Sequence, residues 1–545
     1  MNVTISDIRN SLIGEGTAIA GPFGPRRLMY ADYVASGRSL SFIEDAIRTH
    51  VMPFYGNTHT ETSFTGRRTT QLREMARASV RRAVGADDRH AVIFAGSGAT
   101  AAVDKLVRAL LLRGLDARSV VFVGPYEHHS NDLPWRESGA TIERIPLDDS
   151  GAICLKTLEK RLAAHADATL KIGAFAAASN VTGIVSDLRG IARLMHAHGG
   201  WCVADFAAAG PYLQVSLAET SPGAGDRIDA AFLSPHKYAG GPGASGLLIA
   251  DRSLFATGRP TVVGGGTVSY VTEHHHAYVA NPERREEGGT PSIIENIRAG
   301  MVLDLKRCVG EDEVARRELA MTTRMERALR AIPGLELLGP AGATRVGVFS
   351  FNVKSGEKRL HHNYVVALLN DLFGIQARGG CSCAGPYGHH LLGIDVETAE
   401  RHEQQVQLGN SAYRPGWARL GVNWFFEDGD VDRIARAIDF VARNGLALLP
   451  LYRLDLGDGV WRARCSAAEA APAQFSDLWN ASAAPTDPAP DFEGAMQAAH
   501  ALLSEVPANA EPVPLSAEQE ALRWFWLPHE VAGAGAMAGA RTRSA

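Results

Sequence analysis

Between residues 91 and 250 the chain repeats one order: a short apolar run, a turn, then an amphipathic stretch. The apolar runs at 91–94, 119–123, 170–178, 201–205, 230–233 and 246–250 have the length and composition of buried strands. The stretches 101–112, 155–164 and 188–198 have helical spacing. Strands alternating with helices in this way predict an α/β fold, with a mainly parallel sheet covered on both faces.

The rest of the chain divides around this block. Residues 1–60 read as an N-terminal arm, followed by an arginine-rich helix at 63–84. Residues 61–305 form the expected large domain. A long helix at 295–309 leads into a smaller α/β domain at 306–450, with helices at 313–331, 362–373 and 430–443 and a strand at 347–353. Residues 451–545 are an extension. Within it, 466–492 is rich in Ala, Pro, Ser and Asp and reads as a linker, 493–530 regains helical character and carries Trp524, Phe525 and Trp526, and the last ten or so residues read as disordered.

A length of 545 residues exceeds one ordinary core. The chain is 46% hydrophobic and 21% charged with a net charge of -5, so composition argues for a soluble globular protein and against a nucleic-acid surface. No apolar run approaches the roughly 20 residues of a membrane helix. The first ten residues lack the basic-then-apolar order of a signal peptide, so a cytoplasmic protein is expected. The 6 cysteines are too few for a disulfide framework.

Three segments carry chemistry. Phe94-Ala95-Gly96-Ser97-Gly98-Ala99-Thr100 joins a strand to a helix; it suits a phosphate, because free N–H groups at a helix start attract anions, and equally a plain turn. Asp205 ends a strand, where it either caps the next helix or faces a ligand at the carboxyl edge of the sheet. Lys237, in Ser234-Pro235-His236-Lys237, is either a surface lysine or one that forms a Schiff base. The order of phosphate turn, strand-end acid and lysine is far more telling than any one member.

With these segments the chain resembles the class V aminotransferase and cysteine desulfurase–selenocysteine lyase family, fold-type I enzymes that use pyridoxal 5'-phosphate. The resemblance runs from about residue 30 to 442. It includes Tyr30-Ala31-Asp32-Tyr33, Glu127-His128-His129-Ser130-Asn131, Ser179-Asn180-Val181-Thr182-Gly183, Gly264-Gly265-Gly266-Thr267, Glu287-Gly288-Gly289-Thr290-Pro291 and Ala418-Arg419-Leu420. It implies that Lys237 holds the cofactor, that Ala99, Thr100, Ser234 and His236 hold its phosphate, and that His128 stacks on its ring and assists proton transfer. Asp205 would pair with the ring nitrogen and Asn180 would lie near the ring oxygen. Thr290 would reach the phosphate of the neighbouring subunit, so a homodimer is implied. Arg419, with Arg378, would bind the carboxylate of a small amino-acid substrate.

Ala377-Arg378-Gly379-Gly380-Cys381-Ser382-Cys383-Ala384 bears on the reaction. By resemblance Cys383 aligns with the desulfurase nucleophile, which takes sulfur from L-cysteine as a persulfide and passes it to an acceptor, in some cases a protein. Other readings remain: Cys381 and Cys383 as a redox pair or as ligands of a shared metal, or both as packed turn residues. No metal is expected. The chain departs from the family at Asp205-Phe206-Ala207-Ala208, where Ala208 replaces a glutamine, and at Ala101, where a glutamate is usual. These departures keep a C–S lyase, a β-eliminating or decarboxylating enzyme, an epimerase and a catalytically silent scaffold as alternatives.

Overall fold

A computed structural model describes residues 3–58, 60–465, 474–476 and 488–531. Most of the segment read as a linker, and the terminal residues read as disordered, lie outside these. Among the described residues no helix is long and apolar enough to cross a membrane.

The large sheet has seven strands: β1 (His90–Gly96), β2 (Val120–Val123), β3 (Thr141–Arg144), β4 (Lys171–Ala176), β5 (Trp201–Asp205), β6 (Ala230–Leu233) and β7 (Gly246–Asp251), in the order β1-β7-β6-β5-β4-β2-β3. Strands β3, β2, β4, β5 and β6 are parallel, and β7 runs antiparallel to both neighbours. The expected mainly parallel sheet is therefore present. Side chains alternate between two cores, with Val92, Phe122, Phe175 and Ile249 on one face and Ile93, Val121, Ala174 and Leu248 on the other. Burying each contributes about 1.5–3 kcal/mol for residues of valine size or larger, which is why these strands read as continuous apolar runs.

Two expectations change. Strand β3 was not anticipated: Thr141-Ile142-Glu143-Arg144 is half polar because it forms the sheet edge, with one neighbour only. The helix expected at 101–112 starts earlier, as α2 (Gly98–Arg113), after α1 (Phe64–Ala83). The small residues Gly98, Ala99 and Thr100, read as turn, form its first turn. Gly246 allows this, because a Cβ there would collide with the carbonyl oxygen of Gly98. The β1–β7 register also shifts between Gly246 and Leu247, as at a bulge.

Helices α3 (Ile293–Val309) and α4 (Glu311–Arg330) lead to the second, antiparallel sheet. Its strands are β8 (Leu335–Leu337), β9 (Val348–Ser355), β10 (Lys358–Arg359), β11 (Arg378–Gly380) and β12 (Trp417–Gly421), ordered β8-β9-β12-β11 with β10 on β9. Helices α5 (His362–Phe373) and α6 (Asp428–Leu448) pack together beside it. The extension adds a hairpin, β13 (Tyr452–Asp455) and β14 (Val460–Ala463), and a helix α7 (Ala517–Leu522). Near the N-terminus, Met29–Tyr30 pairs in parallel with Ile375–Gln376, which carries Asp32 to the seam between the two sheets.

Candidate active site

The carboxyl ends of β1, β2, β4, β5 and β6 open on one side of the large sheet, the edge at which open α/β sheets bind ligands. There a cavity of about 350 Å³ is closed from the other side by β11, β12 and the cysteine loop. It is lined by eleven of the twelve residues singled out in the sequence. Thr290 is the exception: it is exposed in a loop outside this cavity.

On one wall, α2 begins with no side-chain cap from Ser97, so the first-turn N–H groups other than that of Ala99 stay available to an anion. The Ala99 N–H donates to Ser234 Oγ at 3.0 Å, and Thr100 Oγ1 lies 2.7 Å from Ser130 Oγ. A Cβ added at Gly98 would approach Ser234 Oγ to 3.5 Å and His236 Nε2 to 3.8 Å. Glycine thus leaves room in front of these groups.

The floor is electrostatically tuned. Burial draws the Lys237 amine from 10.5 down to about 8, against the pull of Asp205 in the other direction. Burial also raises the carboxyl of Asp205, although the Ala207 N–H donates to its Oδ1 at 2.8 Å and Lys237 is near. Burial, then Lys237, holds both His128 and His236 down to about 4, so their imidazoles are neutral at pH 7. His128 Nδ1 accepts the Ser130 N–H at 3.1 Å. Its loop is braced by buried Glu127, which accepts the Ala176 N–H at 3.1 Å and the Asn131 amide at 2.7 Å; burial raises its carboxyl to about 8.

The opposite wall carries the cations and the thiol. Arg378 and Arg419 are register partners across β11 and β12. Both reach Asp32: Arg378 Nε at 3.0 Å, and Arg419 at 3.5 Å. Arg419 is buried, donates to the Asn180 carbonyl at 3.1 Å, and leaves its Nε without a partner among the described residues. Cys383 is exposed at the cavity mouth. Among the described residues, Ser382 and Cys383 are the only non-glycines with positive φ, 54° and 55°. Their loop is tied down at several points: Asn180 Nδ2 donates to the Ser382 carbonyl at 2.7 Å, the His129 N–H to the Cys383 carbonyl at 2.9 Å, and Trp417 Nε1 to Ser382 Oγ at 3.2 Å. Cys381 does not line the cavity.

Asp32 was legible only as part of a motif, and its pairing with both arginines was not foreseen. Ala208 is buried and presents a methyl group to the cavity, where a hydrogen-bond donor was expected from the family pattern.

The residues present fit pyridoxal phosphate. An uncapped helix start faces space left by glycine. Beside it stand a buried acid, whose carboxyl burial raises, and a lysine whose amine burial makes easier to deprotonate. Arg419 Nε and Asn180 Oδ1 add buried polar atoms still without partners among the described residues.

Sheet and cavity together define a fold-type I α/β enzyme. Comparison with known proteins gives the family: the model of "Aminotransferase class-V" matches residues 29–399, and the chain belongs to that family of pyridoxal-phosphate-dependent enzymes. A protein of Halalkalibacterium halodurans named "Probable cysteine desulfurase" is 28% identical over 378 residues, 69% of this chain and 87% of the relative. One of Staphylococcus aureus with the same name is 27% identical over 365 residues, 66% of this chain and 84% of the relative. Among solved structures, the apo cysteine desulfurase of Thermococcus onnurineus NA1 superposes with a TM-score of 0.66 at 22% identity, covering 81% of this chain and 98% of its own. The chain is thus a cysteine desulfurase-like member of its family.

Proposed function

We propose that this protein takes sulfur from L-cysteine, or a closely related amino acid, and holds it as a persulfide on Cys383. The observation that carries this reading is that Cys383 and Lys237 line one cavity, the thiol at its mouth and the amine on its floor.

Residues 61–305 would be the cofactor domain and 306–450 the small domain. Ala99, Thr100, Ser234 and His236 would hold the phosphate, His128 would cover the ring, Asn180 would lie near the ring oxygen and Asp205 would meet the ring nitrogen. Thr290, exposed on its loop, would serve the site of a second subunit in a cytoplasmic homodimer. Bound pyridoxal phosphate supplies an electron sink for charge developing at the substrate Cα.

Arg419 and Arg378 would orient the substrate carboxylate, since a guanidinium pairs with it in two-pronged fashion. Lys237, with an amine that is substantially neutral near pH 8, would accept the Cα proton, and His128 would assist proton transfer. The Cys383 thiolate would then attack the substrate sulfur: an S–S bond forms, the C–S bond breaks, and its electron pair stays with the carbon skeleton that leaves as alanine. An acceptor, small or protein, would collect the sulfur.

Parent protein and Cys383→Ala, each loaded with cofactor and given L-cysteine, test this. The parent should release alanine, and the variant should lose that activity. Equal alanine from both would overturn the persulfide reading, and pyruvate with ammonia would mark a β-eliminating enzyme instead. Ala208 is the observation that favours this second outcome, because it removes a donor from the cavity wall.

A further inference from the structure

The family match ends at residue 399, yet the chain beyond it folds back onto the strand that carries the cysteine loop. The route begins at β11. A Cβ on Gly379 would collide with Asn363 Oδ1 and come within 3.1 Å of the His362 ring. The start of α5 therefore lies directly against the backbone two residues before Cys381 and four before Cys383.

That start of α5 is held by the extension from two sides. Asn363 Nδ2 donates to the carbonyl of Gly459, in the turn of the β13–β14 hairpin, at 2.7 Å. On the other side Trp524 stacks on both histidines: its ring lies 5.3 Å from His361 at 16° and 5.7 Å from His362 at 14°. The two imidazoles stack on each other at 4.3 Å, and Phe525 meets His361 edge-on at 4.9 Å. The Trp524 segment is itself fixed in register. The Arg359 N–H donates to the Trp524 carbonyl at 3.2 Å, the Trp526 N–H returns to the Arg359 carbonyl at 3.2 Å, and Trp526 Nε1 donates to the Ser355 carbonyl at 2.7 Å. Helix α7 packs on the helix Val396–Gln407, which follows the cysteine loop in the chain. Residues beyond the family match thus hold the start of α5 against β11 and also pack on a helix further along, past the helix Gly385–Leu392 that directly follows the loop.

We propose that the C-terminal extension positions the cysteine loop, with Trp524 and Asn363 as positioning residues for Cys383. The strained backbone at Ser382 and Cys383 gives such bracing a purpose. A conformation of this kind persists only where its surroundings impose it, and loosening the α5 start gives the loop a way to relax. The effect on turnover rests on the reading of Cys383 as nucleophile; the effect on the thiol's placement does not.

The test uses the full-length, cofactor-loaded protein and iodoacetamide. Alkylation of Cys383 is followed by peptide mass spectrometry, with exposed Cys308 on α3 as internal reference. Trp524→Ala and Asn363→Ala should each change the Cys383-to-Cys308 rate ratio by roughly 2- to 10-fold, the range set by one aromatic pair or one hydrogen bond. Trp524→Phe, which keeps a stacking ring, should restore the ratio. An unchanged ratio in both alanine variants would overturn the proposal. So would a phenylalanine variant that behaves like alanine while the Asn363 variant behaves like the parent. If Trp524→Ala does not fold, Asn363→Ala and Trp524→Phe decide it. A changed ratio in a protein that makes no alanine from L-cysteine would sink the proposed reaction and leave the positioning role standing.

Discussion

Arg378 donates its Nε–H to Asp32 across 3.0 Å and 346 positions of chain. The same carboxylate faces Arg419, so one acid from the N-terminal segment holds two guanidiniums at the edge of the cavity. In the proposed reaction this pair would receive the substrate carboxylate, where geometry matters as much as charge. Arg419→Lys keeps the charge and loses the fork. Its KM for the amino-acid substrate should rise on the order of 10- to 100-fold, the scale of a charged hydrogen bond worth about 1.5–3 kcal/mol, with the visible absorbance of the bound cofactor intact. Steady-state kinetics check this, and an unchanged KM would remove Arg419 from substrate binding.

Capture of the cofactor by the apoprotein should depend on pH through Lys237. Only the unprotonated amine bonds to an aldehyde carbon, and burial brings this amine down to about 8 from the ordinary 10.5. The rate of capture should climb with pH and level off above about 8. Asp205→Ala removes the anion that favours the ammonium form, so the midpoint should move to lower pH. Stopped-flow absorbance across the pH range measures both, and a parent midpoint near 10 would contradict the environment described for Lys237.

Gly246→Ala should destabilise the protein, because the new methyl meets the Gly98 carbonyl oxygen, which is backbone and cannot swing away. Overpacking of this kind costs about 1–3 kcal/mol. Thermal unfolding should show a lowered Tm, and cofactor affinity should fall with it, since the displaced atoms begin α2. A variant with parental Tm and parental affinity would refute the tight approach of β7 to the helix start.

Much of this was legible in the sequence, for a physical reason. Strands buried on both faces, such as Val120–Val123 and Ala230–Leu233, cannot disguise their composition; Asp205 ends its strand, and Lys237 lies in the short turn Pro235–Lys237 that follows another. What escaped reading depends on distant partners. Thr141–Arg144 is a strand because β2 offers it an edge, not because its residues prefer one. Gly98 to Thr100 are helical because Gly246 makes space for them. Asp32 acquires its two arginines only when residues 29–30 pair with 375–376. The hold of Trp524 on His361 and His362 has no local signal at all.

Acid should release the extension. Burial alone would raise the Glu530 carboxyl, but Arg523, the Leu527 N–H and Lys358 together hold it at about 2, below its ordinary 4.5. A depressed carboxylate contributes stability that is fully present above pH 4.5 and is lost as pH falls through about 2. Protection against hydrogen exchange in residues 517–531, taken relative to the intrinsic exchange rate at each pH, should therefore fall across that window. In Glu530→Gln that protection should already be low at neutral pH and lose little more in acid. Equal protection in parent and variant at pH 7 would mean that this ion cluster does not anchor the segment.

Ser382 and Cys383 occupy the left-handed region at a cost on the order of 1–2 kcal/mol each for a side-chain-bearing residue. Glycine would suit both positions better, and Cys383→Gly would give a sturdier loop with no thiol to react. With Cys383 in its proposed role, stability and chemistry pull in opposite directions at a single α-carbon. A search for more heat-resistant versions of this protein would find residue 383 among its easiest gains, and each gain there would yield a folded, long-lived molecule without the thiol on which the proposed sulfur transfer depends.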